Sequence, residues 1–175
     1  MAAKSVPERL HWAVETLAIG PDDQLLEIGC GRGVAVALIC EKLAGGRITA
    51  IDRSAVMIGH AEQRNFQHVA SGKAVFHTSA LESCDIEGGR FDKIFAVNVN
   101  LFWVRPAPKE LDIVKSLLTP QGTLYLFYEP PGAARVGGIA GKLEAALAEH
   151  GFATDTRVPA TDGSASMLCV VARAE

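Results

Sequence analysis

Three glycines at alternate positions lie directly between a short apolar strand and an apolar helix near the start of the chain. The pattern predicts the strand over 25–28 and the helix over 33–44, with Gly29, Gly31 and Gly33 in the loop that joins them. Glycine lets the backbone turn tightly and lets a ligand approach closely, while the first N–H groups of the helix point toward that ligand. The loop therefore predicts a binding site at the end of the first strand.

The rest of the chain alternates strands and helices. Further strands are predicted over 48–51, 74–78, 91–99 and 123–128, and helices over 10–19, 54–66, 108–118 and 139–150. Residues 153–158 and 166–172, on either side of 160–163, predict a closing hairpin. Strands separated by helices form parallel sheets through right-handed crossovers, and such sheets tolerate one antiparallel strand near an edge. We expect an α/β, Rossmann-like doubly wound sheet with ligands beyond the carboxyl ends of its strands.

Length and charge limit the alternatives. A chain of 175 residues holds one domain, 1–175, in which residues 1–23 form a helical lead over the site. The net charge of −3 disfavours nucleic acid as a partner. The first ten residues lack an apolar signal core and no apolar run approaches the ~20 residues of a membrane helix, so we expect a cytoplasmic protein with no membrane contact. The four cysteines form no CxxC pair, which predicts neither a metal site nor disulfides.

An acidic residue follows the glycine loop at a meaningful distance. Asp52 lies nineteen residues after Gly33, at the end of the second predicted strand. A carboxylate there can accept hydrogen bonds from both hydroxyls of a ribose, which predicts a nucleoside-containing cofactor. Val34 occupies the position where a dinucleotide fingerprint needs a small residue, and residues 137–143 lack the spacing and the hydroxyl of a phosphate loop. Both nucleotide-phosphate interpretations are weakened.

These residues resemble the class I S-adenosylmethionine-dependent methyltransferases. The segment 27–33 is similar to the family's first motif, 48–57 to its second, 91–98 to its fourth and 117–124 to its LLxPGGxL segment; Ser79, within 78–81, replaces the usual aspartate of the third. The resemblance implies seven strands with the last one antiparallel, and S-adenosyl-L-methionine as cofactor, with S-adenosyl-L-homocysteine (SAH) as product. It implies these cofactor-binding residues: Glu27, Gly29, Cys30, Gly31, Gly33, Asp52, Arg53, Met57, Ser79, Ala80, Leu81, Asn98 and Val99.

The acceptor is expected to be a small molecule, because the segment after the fourth strand lacks the Asn-Pro-Pro-Tyr type motif of enzymes that methylate nucleic acids and proteins. Candidate bases are His11 and Glu129, and the candidate acceptor wall consists of Trp12, Asn100, Phe102, Trp103 and Tyr128. Core packing is an equal alternative for Phe102 and Trp103. So short a chain predicts a shallow site or one completed by a partner, as in a homodimer. A non-catalytic cofactor-binding protein and a nicotinamide-dependent oxidoreductase remain the alternative functions.

Overall fold

The computed structural model describes residues 6–86, 89–159 and 166–175. These ranges contain seven strands and seven α-helices. The strands are β1 (Gln24–Ile28), β2 (Arg47–Asp52), β3 (Ala74–Thr78), β4 (Phe91–Val97), β5 (Leu118–Tyr128), β6 (Phe152–Arg157) and β7 (Leu168–Ala174). The helices are α1 (Glu8–Thr16), α2 (Val34–Cys40), α3 (Ala55–Arg64), α4 (Phe66–Ala70), α5 (Leu101–Val104), α6 (Pro108–Leu117) and α7 (Val136–Glu149). Two 3₁₀ turns lie at Leu81–Ser83 and Ala133–Arg135.

All seven strands join one sheet in the order β3-β2-β1-β4-β5-β7-β6. The first five strands are parallel to one another, and β7 runs antiparallel to both β5 and β6. The predicted doubly wound sheet with an antiparallel C-terminal strand is confirmed. Chain order reverses between β1 and β4, so the loops that follow these two strands diverge and leave a crevice there.

The two faces of the sheet carry separate cores, as the alternation within β5 illustrates. Leu124 and Leu126 pack with apolar residues of α6 and α7, whereas Tyr125 and Phe127 pack on the opposite face with those of α1 and α2. Successive side chains of a strand point to opposite faces, so a strand buried on both sides is apolar throughout. Helices on both faces hold the strand ends, and with them the loops of the crevice, in fixed positions.

Some boundaries differ from the predicted ones for identifiable reasons. The strand predicted to reach Val99 ends at Val97, because Asn98 takes a left-handed conformation with φ 56°. The helix predicted to reach Ala44 ends at Cys40, and the N–H groups of Ala44 and Gly46 donate to the carbonyl of Pro21. The short helices α4 and α5 were not predicted. The predicted hairpin turn at 160–163 lies outside the described residues. No helix within the described ranges has the length and apolar character needed to cross a bilayer.

Candidate functional site

The loop after β1 is shaped by glycines that no other residue could replace without strain. Gly29, Gly31 and Gly33 have φ values of 73°, 53° and 68°. A Cβ on Gly29 would lie 2.6 Å from Cγ2 of Val99, in the loop after β4. The N–H groups of Gly29 and Cys30 both donate to the carbonyl of Ile51, at 2.8 and 3.0 Å. The loop is therefore held between the ends of β2 and β4, with no room for side chains at the contact.

The side chain of Asn65 holds the end of the same loop at Gly33. This residue was not predicted from the sequence. Its side chain is 1% exposed, and its Nδ2 donates to the carbonyls of Gly33 and Ala61, both at 2.9 Å. A Cβ on Gly33 would lie 2.7 Å from this Nδ2. Asn65 follows α3, so it fixes the start of α2 against the end of α3. The start of α2 and the end of α3 are distant in sequence and meet only in the folded structure, so no local sequence pattern indicates the contact.

Asp52 lies at the carboxyl end of β2, as predicted, and faces the glycine loop. One carboxylate oxygen accepts from the N–H of Gly31 and the other from the N–H of Ser54, each at 2.9 Å. Each oxygen keeps a further lone pair for a ligand. The carboxylate is therefore rigidly placed and still able to accept hydrogen bonds from neighbouring hydroxyls.

A cavity of about 400 Å³ opens beside Asp52, and we call it the Asp52 cavity. It lies beyond the carboxyl ends of β1, β2 and β4. Of the predicted cofactor residues it is lined by Gly29, Asp52, Arg53, Ser79, Ala80, Leu81 and Val99, and also by Ile28, Ile51, Leu101 and Arg105. Such a volume is within the range of small-molecule sites. The structure thus brings Asp52 and Arg53 of the predicted second motif together with the predicted third-motif residues at one cavity.

Two charged residues at the rim of the Asp52 cavity are held by ion pairs. Arg53 Nη2 lies 2.9 Å from Glu82 Oε1, and Arg105 donates to the buried carboxylate of Glu110. Burial alone would raise the pKa of Glu110, but its hydrogen bond and ion pair with Arg105 outweigh that effect and hold the pKa below its usual value. Arg105 was not predicted, because its partner comes from α6.

Glu27 is the last residue but one of β1, and only 3% of its surface is exposed. Its Oε2 is buried and has no hydrogen-bond partner among the described residues. Burial, followed by the negative charge of Asp52, raises the pKa of Glu27 to about 8. A carboxyl group in this position holds its proton at neutral pH and gives it up when a cation arrives.

The Glu27 cavity, of about 220 Å³, lies on the other side of the glycine loop. Gly29 lines both this cavity and the Asp52 cavity, so the two are neighbours across one residue. The predicted residues that line the Glu27 cavity are Glu27, Gly29, Cys30 and Asn98. The lining also includes Arg9, Arg32 and four apolar residues of α1, α2 and β4. One acidic side chain thus stands in each of two adjoining cavities.

A third cavity, of about 360 Å³, lies at the carboxyl ends of β4 and β5, and we call it the Trp103 cavity. Asn98 lines both this cavity and the Glu27 cavity. The predicted residues Asn98, Asn100, Trp103, Tyr128 and Glu129 line it, with Pro130, Pro131, Arg135 and Ile139 as residues that were not predicted. The structure thereby separates Trp103, on the cavity wall, from Phe102, which is 2% exposed and packs in the core.

Several predicted residues lie outside these three cavities. His11 is exposed on α1, and Met57 lies in the first turn of α3, where its N–H donates to Ser54 Oγ. Trp12 packs edge-on against Phe127, with ring centroids 5.6 Å apart. Gly31 and Gly33 shape the loop without lining a cavity. Phe102 packs in the core and His11 faces solvent, so neither is brought to the predicted acceptor wall. Trp12, in contrast, lines a narrow cleft together with Asn98, Tyr128 and Glu129.

No group of histidine, cysteine and acidic side chains in the described ranges could hold a metal ion. Cys30 is buried, and burial together with the charges of Glu27 and Asp52 raises the pKa of its thiol far above the usual range. A thiol that keeps its proton is a poor nucleophile. The chemistry of the site therefore rests on shape, hydrogen bonds and carboxyl groups.

The strand order, the glycine loop and the strand-end aspartate define an α/β protein with a nucleoside-type cofactor site. A family model described as a methyltransferase domain matches residues 25–122. The chain belongs to this methyltransferase-domain family, and the class I S-adenosylmethionine-dependent assignment made from the motifs is confirmed.

Similar proteins agree with this family. Trans-aconitate 2-methyltransferase of Escherichia coli O157:H7 (strain EC4115 / EHEC) is 34% identical over 129 residues, which cover 67% of this chain and 44% of that protein. The matched stretch is thus less than half the length of the relative. Magnesium protoporphyrin IX methyltransferase (ChlM) from Synechocystis PCC 6803, solved with bound SAH, superposes with a TM-score of 0.72 at 19% identity, covering 99% of this chain and 90% of that one.

A further solved structure extends the comparison. The CcbJ methyltransferase from Streptomyces caelestis superposes with a TM-score of 0.76 at 14% identity and covers 100% of this chain and 99% of that one. At these identities the structural likeness establishes the fold, not the acceptor.

Proposed function

We propose that the protein transfers a methyl group from S-adenosyl-L-methionine to a small-molecule acceptor. The observation that carries this proposal is the pair of acidic side chains, Asp52 and Glu27, in two cavities that adjoin at Gly29. A nucleoside joined to an amino acid has ribose hydroxyls at one end and an ammonium group at the other, and each acid matches one end.

The residues fit this cofactor on the structure's own geometry. The Asp52 carboxylate retains free lone pairs, and Glu27 Oε2 is a buried acceptor with no partner among the described residues. An ammonium group would supply that partner and favour the ionised form of Glu27. A pyrophosphate over the same loop would add negative charge beside both acids, which disfavours the nicotinamide alternative.

In this proposal the apolar wall of Ile28, Ile51 and Leu81 and the backbone of 79–81 hold the adenosine portion, and Ser79 Oγ supplies a hydroxyl where the family has an aspartate. The Ser79 hydroxyl donates to the carbonyl of Ala80 at 2.9 Å and keeps its oxygen as an acceptor. The sulfonium of the bound cofactor supplies an activated methyl group. The chain's task is to hold an acceptor atom close and aligned and to exclude water.

Asn98 lies where the bound cofactor and the acceptor would meet. Its N–H donates to the carbonyl of Phe127 and its Oδ1 accepts from the N–H of Glu129, both at 2.8 Å. The residue is fixed by two backbone groups at the end of β5 and lines both the Glu27 cavity and the Trp103 cavity. The Trp103 cavity is therefore the proposed acceptor pocket.

The first experiment measures cofactor affinity by thermal shift and calorimetry. SAH at about 100 times its dissociation constant should add ~2.7 kcal/mol, or about 5–10 °C in melting temperature for a chain of this size. NAD at the same concentration should have no effect. Stabilisation by NAD alone would refute the proposal. Methyl transfer to trans-aconitate and to a wider metabolite panel then separates an enzyme from a non-catalytic binding protein.

A matched pair of variants tests the ribose contact. Asp52→Asn should weaken the binding of SAH by about tenfold or more, because the charged hydrogen bonds to the ribose hydroxyls become neutral ones. Asp92→Asn is the control: Asp92 also accepts a backbone N–H, from Gln24 at 2.9 Å, but at the opposite end of the strands. Equal affinity of the two variants would show that Asp52 does not bind the ligand.

Two narrower features are also proposed. A cytoplasmic location is supported by the four free cysteines, of which Cys30, Cys40 and Cys169 are buried. A homodimer that covers the acceptor side is supported by Val104, which is 58% exposed in the same short helix as Trp103. Light scattering of the purified chain, with Val104→Asp as the comparison, tests the dimer: a wild-type mass of one chain refutes it.

A further inference from the structure

The Trp103 cavity is surrounded by an excess of positive charge. Its charged lining residues are Glu129 and Arg135. Glu129 Oε2 is already held by Arg9 Nη1 at 3.3 Å, so the acid is compensated. Among the described residues no ion pair includes Arg135 or Lys142. The cavity therefore presents one uncompensated cation on its lining and a second nearby.

The second cation is placed by an aromatic ring of the same wall. Lys142 Nζ lies 6.0 Å from the centroid of the Trp103 ring, and Trp103 packs edge-on against Tyr128 with centroids 6.3 Å apart. The two cations make this wall complementary to an anionic oxygen.

Among the described lining residues the one carboxylate, Glu129, is paired with Arg9, and no other residue of the wall is an available base. The Tyr128 hydroxyl already donates to the carbonyl of Val99, and burial raises the pKa of this phenol above its usual range. Asn98 and Asn100 cannot accept a proton at neutral pH. An alcohol or an ammonium group must lose a proton before or during attack on the methyl group, whereas an ionised acid need not.

We propose that the acceptor is a small carboxylic acid, which binds with one carboxylate at Arg135 and is methylated on a carboxylate oxygen. This rests on the proposed methyl transfer. An oxygen lone pair forms the new O–CH₃ bond as the S–CH₃ bond breaks, and the electrons of that bond stay on sulfur. The carboxylate and the sulfonium give a neutral ester and a neutral thioether, and no proton is released. The cavity of about 360 Å³ suits a small organic acid.

The test uses the full chain saturated with SAH and follows tryptophan fluorescence. The acidic probes are benzoate, fumarate and citrate; the comparison probes of similar size are benzamide, fumaramide and benzylamine. At least one acid should change the fluorescence, and the amides and the amine should not. Binding of the amides or the amine in preference to every acid overturns the proposal, as does the absence of binding by all three acids.

Variants assign the binding to this wall. Arg135→Gln should weaken the binding of the acid by about tenfold, the loss expected for a charged hydrogen bond, with SAH affinity unchanged. Trp103→Phe should abolish the fluorescence response. Arg157→Gln is the matched control, because Arg157 lies on the edge strand β6 and pairs with Asp155. An unchanged dissociation constant in Arg135→Gln, or an equal loss in Arg157→Gln, overturns the assignment.

Methyl transfer from radiolabelled cofactor completes the test. Methylated acid should release labelled methanol in alkali, as esters do. Alkali-stable product from an amine or an alcohol overturns the carboxylate proposal but leaves the proposed function in place. Failure of SAH itself to bind contradicts the proposed function instead, so the two failures are distinguishable.

Discussion

Glu27 should make the protein less stable as the pH rises, and Glu27→Gln isolates that effect. The side chain is 3% exposed, and burial raises its pKa from 4.5 to about 8. Because the folded state holds the proton more tightly than the unfolded state, stability falls between these two pH values. Below pH 4.5 both states are protonated, and above pH 8 both are ionised, so the change is confined to this window.

The magnitude follows from the displacement of the pKa. About 3.5 pH units at roughly 1.4 kcal/mol each amount to a loss of up to ~5 kcal/mol by pH 9. This is a large part of the 5–15 kcal/mol that stabilises a typical domain. Glutamine has nearly the shape of the protonated acid and does not titrate. The variant should therefore differ from the wild type by less than about 1 kcal/mol at pH 5 and exceed its stability by several kcal/mol at pH 9.

Urea denaturation at five pH values from 5 to 9 measures the difference. All other titrating groups are common to both proteins, so the gap between the two profiles reports Glu27 alone. Glu110→Gln is the control of opposite sign: Glu110 is also buried, but Arg105 holds its pKa below the usual value. That variant should be less stable than the wild type at neutral pH, with the gap closing in acid. Parallel profiles for wild type and Glu27→Gln would show that Glu27 is not protonated at neutral pH.

Three further substitutions, and a fourth that serves as a control, have defined outcomes. Gly33→Ala should lower the free energy of unfolding, measured with urea, by about 1–3 kcal/mol and weaken SAH binding, since φ at Gly33 is 68° and the new Cβ would lie 2.7 Å from Asn65 Nδ2. Gly59→Ala is the control, because Gly59 lies in open space within α3. This substitution should instead stabilise the protein by about 0.5–1 kcal/mol. Phe102→Ala should cost about 3–5 kcal/mol, and a stable variant would contradict its core position. Tyr128→Phe should lower the free energy of unfolding by about 1–3 kcal/mol, because the carbonyl of Val99 loses the hydroxyl that donates to it. The variant should also raise the KM for the acceptor, while SAH affinity, measured by calorimetry, stays the same.

The fold and the cofactor side were predictable because their signals are local. The strand 74–78 agrees residue for residue with the prediction, and Ser54 caps α3 as its position before the helix indicates. The glycine loop and Asp52 each follow directly from a strand end. A pattern that lies within one strand–loop–helix unit can be recognised without knowledge of the tertiary contacts.

The acceptor side was only partly predictable because its contacts join distant segments. Arg9 and Glu129 are 120 residues apart in sequence, and Arg135 reaches the cavity from the start of α7. Phe102 and Trp103 are adjacent, yet one is in the core and the other on the cavity wall. The helix that carries them, Leu101–Val104, is a single turn, which is too short to show a periodicity that separates buried from exposed positions.

The predicted end of β4, two residues too late, lies at the centre of the site. The apolar pattern of β4 predicts continuation through Asn98 and Val99, but Asn98 turns with φ 56° and is fixed there by Phe127 and Glu129. A left-handed residue other than glycine is stable only where its surroundings enforce it, and asparagine is one of the few that tolerate it. This turn ends the strand so that Val99 meets Gly29 and Asn98 stands between two cavities. The local preference gives way at the position where the proposed cofactor and acceptor sites adjoin.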